Sequence, residues 1–98
     1  SNEQFRTLSA GKGAVILDVR TPAEFMEGHI PNAVNIDVLH NEAFRNYITS
    51  LDKSKIYLLY CCSGKRSGNA VSIMKEQGFG NVKHLSDGIA GWDGSVVK

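Results

Sequence analysis

The only two cysteines of the chain are neighbours, and they open the run Cys61-Cys62-Ser63-Gly64-Lys65-Arg66-Ser67. The thiolate is the nucleophilic form of cysteine, so the chemistry of this run depends on what would keep Cys61 ionised. Gly64 can adopt backbone conformations closed to other residues. With small neighbours, it lets successive backbone N–H groups turn inward as a concave nest that attracts anions. A helix starting just after the run adds free N–H groups and its positive dipole end, and Lys65 and Arg66 add full charges. Such surroundings lower a cysteine pKa from about 8.5 to about 3.5–7.5. A shift of about two units needs roughly 2.7 kcal/mol at about 1.36 kcal/mol per unit. A helix terminus supplies at most about 2 kcal/mol, so the nest or the cations must contribute as well. Ser63 and Ser67 can donate hydroxyl hydrogen bonds to an anion, and Ser67 can alternatively cap the next helix. The same donors would serve a bound anion and a covalent intermediate on sulfur.

The elements around the run suit this task. Ile56-Tyr57-Leu58-Leu59-Tyr60 is the most apolar strand-length segment and leads directly into Cys61. Ala14–Val19 is a second such segment. Neither alternates, as expected of strands buried on both faces of a parallel sheet. Ala33–Ile36 and Asn81–Leu85 read as shorter strands. Helices are expected near residues 3–9, with Phe5 and Leu8 inward, and from Pro22, capped by Thr21, with Glu24 in the first turn and Gly28 as the stop. A third runs from Asn41 to Leu51, where Phe44, Tyr47, Ile48 and Leu51 form one stripe. A fourth follows Ser67, with Ala70, Val71, Ile73 and Met74 facing inward and Gly78 ending it. Gly88–Trp92 forms a last helical turn, capped by Asp87, that docks Trp92. Alternating strands and helices indicate an α/β architecture with a mostly parallel sheet. Ligands bind such sheets beyond the carboxyl ends of strands, where Cys61–Ser67 falls.

The 98 residues make one domain, 1–98, and 42% hydrophobic with 21% charged residues is a globular composition. A formal net charge of +1 gives no basic excess for nucleic acid. No run of about 18 apolar residues calls for a membrane. Adjacent cysteines cannot staple distant parts of a chain, so a reducing, cytoplasmic compartment is expected, with an exported location as the alternative. His29, His40 and His84 show no ligand spacing among themselves or to the cysteines, so neither a metal nor another cofactor is expected.

Four segments together resemble the rhodanese domain over nearly the whole chain. They are Leu17-Asp18-Val19-Arg20; Glu24-Phe25 with Gly28-His29-Ile30-Pro31-Asn32-Ala33; Tyr60-Cys61 with Ser63-Gly64-Lys65-Arg66-Ser67; and Gly88-Ile89-Ala90-Gly91-Trp92. The resemblance implies a rhodanese-like parallel sheet of five strands with helices on both faces. It also implies a self-sufficient sulfurtransferase. Cys61 would take a sulfane sulfur from a small anionic donor such as thiosulfate, hold it as a persulfide, and pass it to a thiol, to cyanide or to a partner protein.

Three positions depart from the pattern: Cys62, Asn32 and Asp87. Cys62 is either a backbone donor with an idle thiol or a second thiol that reacts with the persulfide. Asn32 tolerates a left-handed backbone. Arg66 either binds the substrate anion or braces the loop. Asp18 and Arg20 either edge the pocket or order neighbouring loops, and His29 reads as part of a structural turn. Two other functions compete. Phosphatases and arsenate reductases of related architecture place five residues between cysteine and arginine, whereas four separate Cys61 from Arg66. Non-enzymatic docking modules of this fold usually lack the loop cysteine.

Overall fold

The two unbroken apolar segments are adjacent inner strands of one sheet. The computed structural model describes residues 5, 7, 8 and 13–98. In chain order it contains β1 (Ala14–Asp18), α1 (Pro22–Glu27), β2 (Val34–Asn35), α2 (Asn41–Thr49), β3 (Ile56–Tyr60), α3 (Lys65–Glu76), β4 (Val82–His84) and a 3-10 turn (Ile89–Gly91). The strand order is β2-β1-β3-β4, and every pairing is parallel.

Four strands stand among the described residues where the resemblance implied five. The remaining sheet-like contact is one antiparallel bridge between His29 and Val97. A single bridge lacks the run of paired residues that makes a strand. Of the expected N-terminal helix, Phe5, Thr7 and Leu8 are helical, and its other residues lie outside those described.

Burial on both faces explains the absence of alternation. Leu17, Val19, Tyr57, Leu59 and Cys61 face one side with Phe44 and Ile48 of α2 and Ala70, Ile73 and Met74 of α3. Ile16, Leu58 and Tyr60 face the other side with Phe5, Ile30 and Leu85, against which Leu8, Ile89 and Trp92 pack. Phe5 meets Trp92 edge to face at 5.7 Å, so Trp92 is the anchor expected of it.

The helix signals act where they stand. Thr21 and Glu24 form a reciprocal capping box at the start of α1, with Pro22 in the first turn. Phe44 and Ile48 are the buried stripe of α2. Asn32 sits at φ +70° in the turn before β2. Two expectations change. The helix after Cys61 begins at Lys65 rather than after Ser67, because Gly64 reverses the chain within one residue. The cap position of the 3-10 turn is Gly88, with no side-chain cap, so Asp87 does not cap it.

The strand order sets the functional edge. From β1 the chain passes outward to β2, then returns to place β3 on the opposite side of β1. Such a reversal opens a crevice at the carboxyl ends of the two central strands. The register aligns Asp18 with Tyr60 and Leu59 with His84, so Asp18, Tyr60-Cys61 and His84 share that edge.

Candidate active site

Cys61 follows β3 directly and is 1% exposed, while the next two residues, Cys62 and Ser63, are exposed. The backbone N–H of Gly64 donates to its Sγ at 3.0 Å and that of Ser67 at 3.3 Å. Ser67 Oγ lies 3.6 Å from the same sulfur. The carbonyls of the loop point the other way: Cys61 accepts from the N–H of Ile89 at 2.8 Å and Cys62 from that of Ala90 at 3.2 Å. The 3-10 turn therefore pins the outer side of the loop and leaves its N–H groups facing inward, as a nest requires.

Two glycines make this possible. Gly64 has φ +96°, and a Cβ there would overlap the carbonyl oxygen of Ser86. Gly88 has φ +68°, and a Cβ there would overlap the carbonyl of Cys62 that the 3-10 turn must approach.

The electrostatics follow from this geometry. Burial pushes the Cys61 thiol up, but the N–H and hydroxyl of Ser67 and the N–H groups of Gly64 and Ser63 outweigh it. The thiol ends below its ordinary value. Hydrogen bonds to a charged group contribute about 1.5–3 kcal/mol each, so two or three of them suffice to overcome the cost of burial.

The cations contribute less than the sequence allowed for. Lys65 is exposed on the first turn of α3. Arg66 grips Glu24 of α1 with two hydrogen bonds, at 2.8 and 3.0 Å, and reaches the two cysteines only through the field of its charge. Glu24 is already oriented by its capping box with Thr21. Arg66, with help from Thr21, holds the Glu24 carboxyl down at about 2. Arg66 thus braces α1 against α3 through a carboxylate.

Asp18 and Arg20 are buried, at 0% and 6% exposure. Arg20 Nε donates to Asp18 Oδ1 at 3.0 Å, and Nη2 donates to Asp18 Oδ2 and to the Gly28 carbonyl, both at 2.7 Å. The guanidinium lies over the Tyr60 ring, 5.5 Å from its centre. The Tyr60 hydroxyl accepts from Ile30 N–H at 3.0 Å. The pair orders the loops around α1 rather than presenting charge to a ligand. His29 belongs to the same turn, with Nδ1 2.9 Å from the Phe25 carbonyl and its ring stacked on Phe25 at 3.7 Å.

His84 reaches the site although its sequence position did not single it out. Its Nδ1 lies 2.9 Å from Ser67 Oγ. The available signal was its place at the end of a strand neighbouring the one that carries the cysteine. Ser67 is not a helix cap, because it occupies the first turn of α3, where its Oγ lies within donating reach of the Gly64 carbonyl at 3.2 Å. Among the described residues, no three His, Cys, Asp or Glu side chains converge as metal ligands. No helix among them is long and apolar enough to cross a membrane.

The described loop can stabilise negative charge on a sulfur atom, or on a group attached to it. Comparisons with known proteins agree with this geometry. A profile of the rhodanese-like domain matches residues 1–95. A sulfurtransferase of Allochromatium vinosum is 34% identical over 85 residues, covering 87% of this chain and 77% of that protein. A thiosulfate sulfurtransferase of Pseudomonas syringae pv. syringae is 33% identical over 81 residues, covering 83% of this chain and 74% of that protein. The crystal structure of a rhodanese-related protein from Thermoplasma volcanium superposes with a TM-score of 0.77 at 32% identity, covering 88% of this chain and 85% of that one.

Proposed function

The chain belongs to the rhodanese-like domain family, and on that premise we propose that it is a sulfurtransferase with Cys61 as its nucleophile. In the first half-reaction the Cys61 thiolate attacks the outer sulfur of an anionic donor such as thiosulfate. The donor's S–S bond breaks, and sulfite leaves with the electron pair. Cys61 then carries a persulfide whose terminal sulfur is anionic. In the second half-reaction an acceptor nucleophile, such as cyanide or a thiol, bonds to that outer sulfur and the Cys61 thiolate is released. The thiolate is formed in advance, so neither step needs a separate general base, and ping-pong kinetics follow. The reaction as written uses no cofactor. A cellular thiol or a partner protein would be the acceptor, in the cytoplasm.

One observation carries this reading: the N–H groups of Gly64 and Ser67 converge on Cys61 Sγ. The same donors can hold the thiolate and, with small adjustments, the persulfide. The position of Arg66 favours sulfur over phosphate chemistry, because its guanidinium is engaged by Glu24 instead of being free to hold a tetrahedral oxyanion. Intact mass after thiosulfate treatment tests the proposal. The native protein should gain the mass of one sulfur atom and Cys61→Ala none; a native protein that gains nothing would refute it.

A further inference from the structure

Ser67 has one hydroxyl proton and three neighbours that compete for it. Cys61 Sγ is at 3.6 Å, the Gly64 carbonyl at 3.2 Å and His84 Nδ1 at 2.9 Å. A hydroxyl can donate only once but can accept from two sides. The state of His84 therefore restricts what Ser67 can offer Cys61. When His84 Nδ1 is bare it takes the Ser67 proton, and Oγ can only accept from a Cys61 S–H. When His84 Nδ1 carries a proton it donates to Oγ, and Ser67 is free to donate to a Cys61 thiolate.

We propose that His84 is a positioning residue that governs, through Ser67, whether Cys61 is presented as thiol or thiolate. This rests on Cys61 being the reactive thiol. Passage between the two arrangements is a balanced proton relay. The S–H bond of Cys61 breaks as Ser67 Oγ gains a proton, and the original Ser67 O–H bond breaks as an N–H bond forms at His84 Nδ1. No other reactant is needed.

The packing supports a ring held in this orientation and open to solvent on its other side. The ring lies over α3 at Gly68, one residue past Ser67, where a Cβ would meet His84 Cε1 at an ordinary contact distance of 3.6 Å. His84 also lines a surface cavity of about 420 Å³ with Phe5, Val71, Lys75, Val82 and Lys83, so its ring can exchange protons with water. Among the described residues, Lys75 of α3 and Lys83 of β4 are the charged side chains that line that cavity beside His84. Burial, and then positive charge including Lys75, lowers the pKa of His84. A cation at His84 is thus costly unless a thiolate lies at the far end of the chain.

The decisive measurement follows the His84 ring resonances by NMR during a pH titration of the full chain carrying Cys62→Ser, with Cys61 free and with Cys61 alkylated by iodoacetamide. The His84 midpoint should differ between the two forms, because alkylation removes the thiolate. Identical titrations would overturn the proposal, and this arm leaves Ser67 and His84 themselves unchanged. Ser67→Ala should abolish the difference; its persistence there would also overturn the proposal. In a Cys62→Ser background, where one thiol reports, the alkylation rate should show two coupled ionisations against pH. His84→Ala removes the acceptor that draws the Ser67 proton away, so it should speed alkylation at neutral pH about fivefold, the scale of one hydrogen bond. His84→Asn, whose side-chain amide can reach the same oxygen, should recover the rate but leave a single ionisation. If two ionisations remain in His84→Asn, His84 is not the partner. Sulfur loading by intact mass is scored separately. Loading without coupling refutes this inference alone, and coupling without loading refutes the transfer reaction alone.

Discussion

Cys61 draws its low proton affinity from backbone N–H groups, so its reactivity should follow the shape of the loop more than the charge of neighbouring side chains. Its alkylation by iodoacetamide should have a pH midpoint below the roughly 8.5 of an ordinary thiol, and the rate should fall as pH drops through that midpoint. Gly64→Ala should move the midpoint upward. A side chain at φ +96° is strained and would push against the Ser86 carbonyl, so this variant should also lose about 1–3 kcal/mol of stability in urea unfolding. Cys62 is exposed beside the site. If only its backbone matters, Cys62→Ser should turn over dithiol acceptors at the native rate; a drop in that rate would give the second thiol a role.

The helices that flank the loop are tied together at their N-termini. Glu24 completes the capping box of α1 and also receives Arg66 from the first turn of α3. Its carboxyl is depressed from an ordinary value of 4.5 to about 2 in the folded chain. Between those values the unfolded state binds the proton more readily than the folded state, so stability is lost as pH falls. The contribution is complete above 4.5 and gone once pH passes below about 2. The pair is partly solvated, which limits its worth to about 1 kcal/mol. Arg66→Ala should therefore cost about 1 kcal/mol at pH 7, and the native-to-variant difference should narrow at pH 3; urea unfolding at both values checks it. A difference that widens on acidification would contradict the assigned role.

The protein as a whole places its reactive edge at the carboxyl ends of the paired strands β1 and β3, and a buried ion pair supports that edge. Asp18 and Arg20 satisfy each other while Arg20 also holds the Gly28 carbonyl. Removing one partner strands a buried charge, at about 3–5 kcal/mol. Typical domains have only about 5–15 kcal/mol in hand. Arg20→Met should accordingly lower the urea midpoint severely and reduce activity in proportion to the folded fraction. A stable but inactive Arg20→Met protein would instead assign Arg20 a direct part in the chemistry.

Local rules were enough to read much of this molecule from its residues. Strand-length apolar runs and the Thr21-Pro22-Ala23-Glu24 start each depend on contacts within a few positions. Backbone sterics and hydrogen bonding decide these wherever the segment sits. The strand count was carried over from a resemblance, and the described residues form four strands. The destinations of Arg66 and Ser67 could not be read in the same way. Glu24 is 42 residues from Arg66, and His84 is 17 residues from Ser67. A long cation or a small hydroxyl takes whichever partner the docking of separate helices and strands brings within reach. Only the folded arrangement of α1, α3 and β4 turned Arg66 toward a carboxylate and set an imidazole behind the serine beside Cys61.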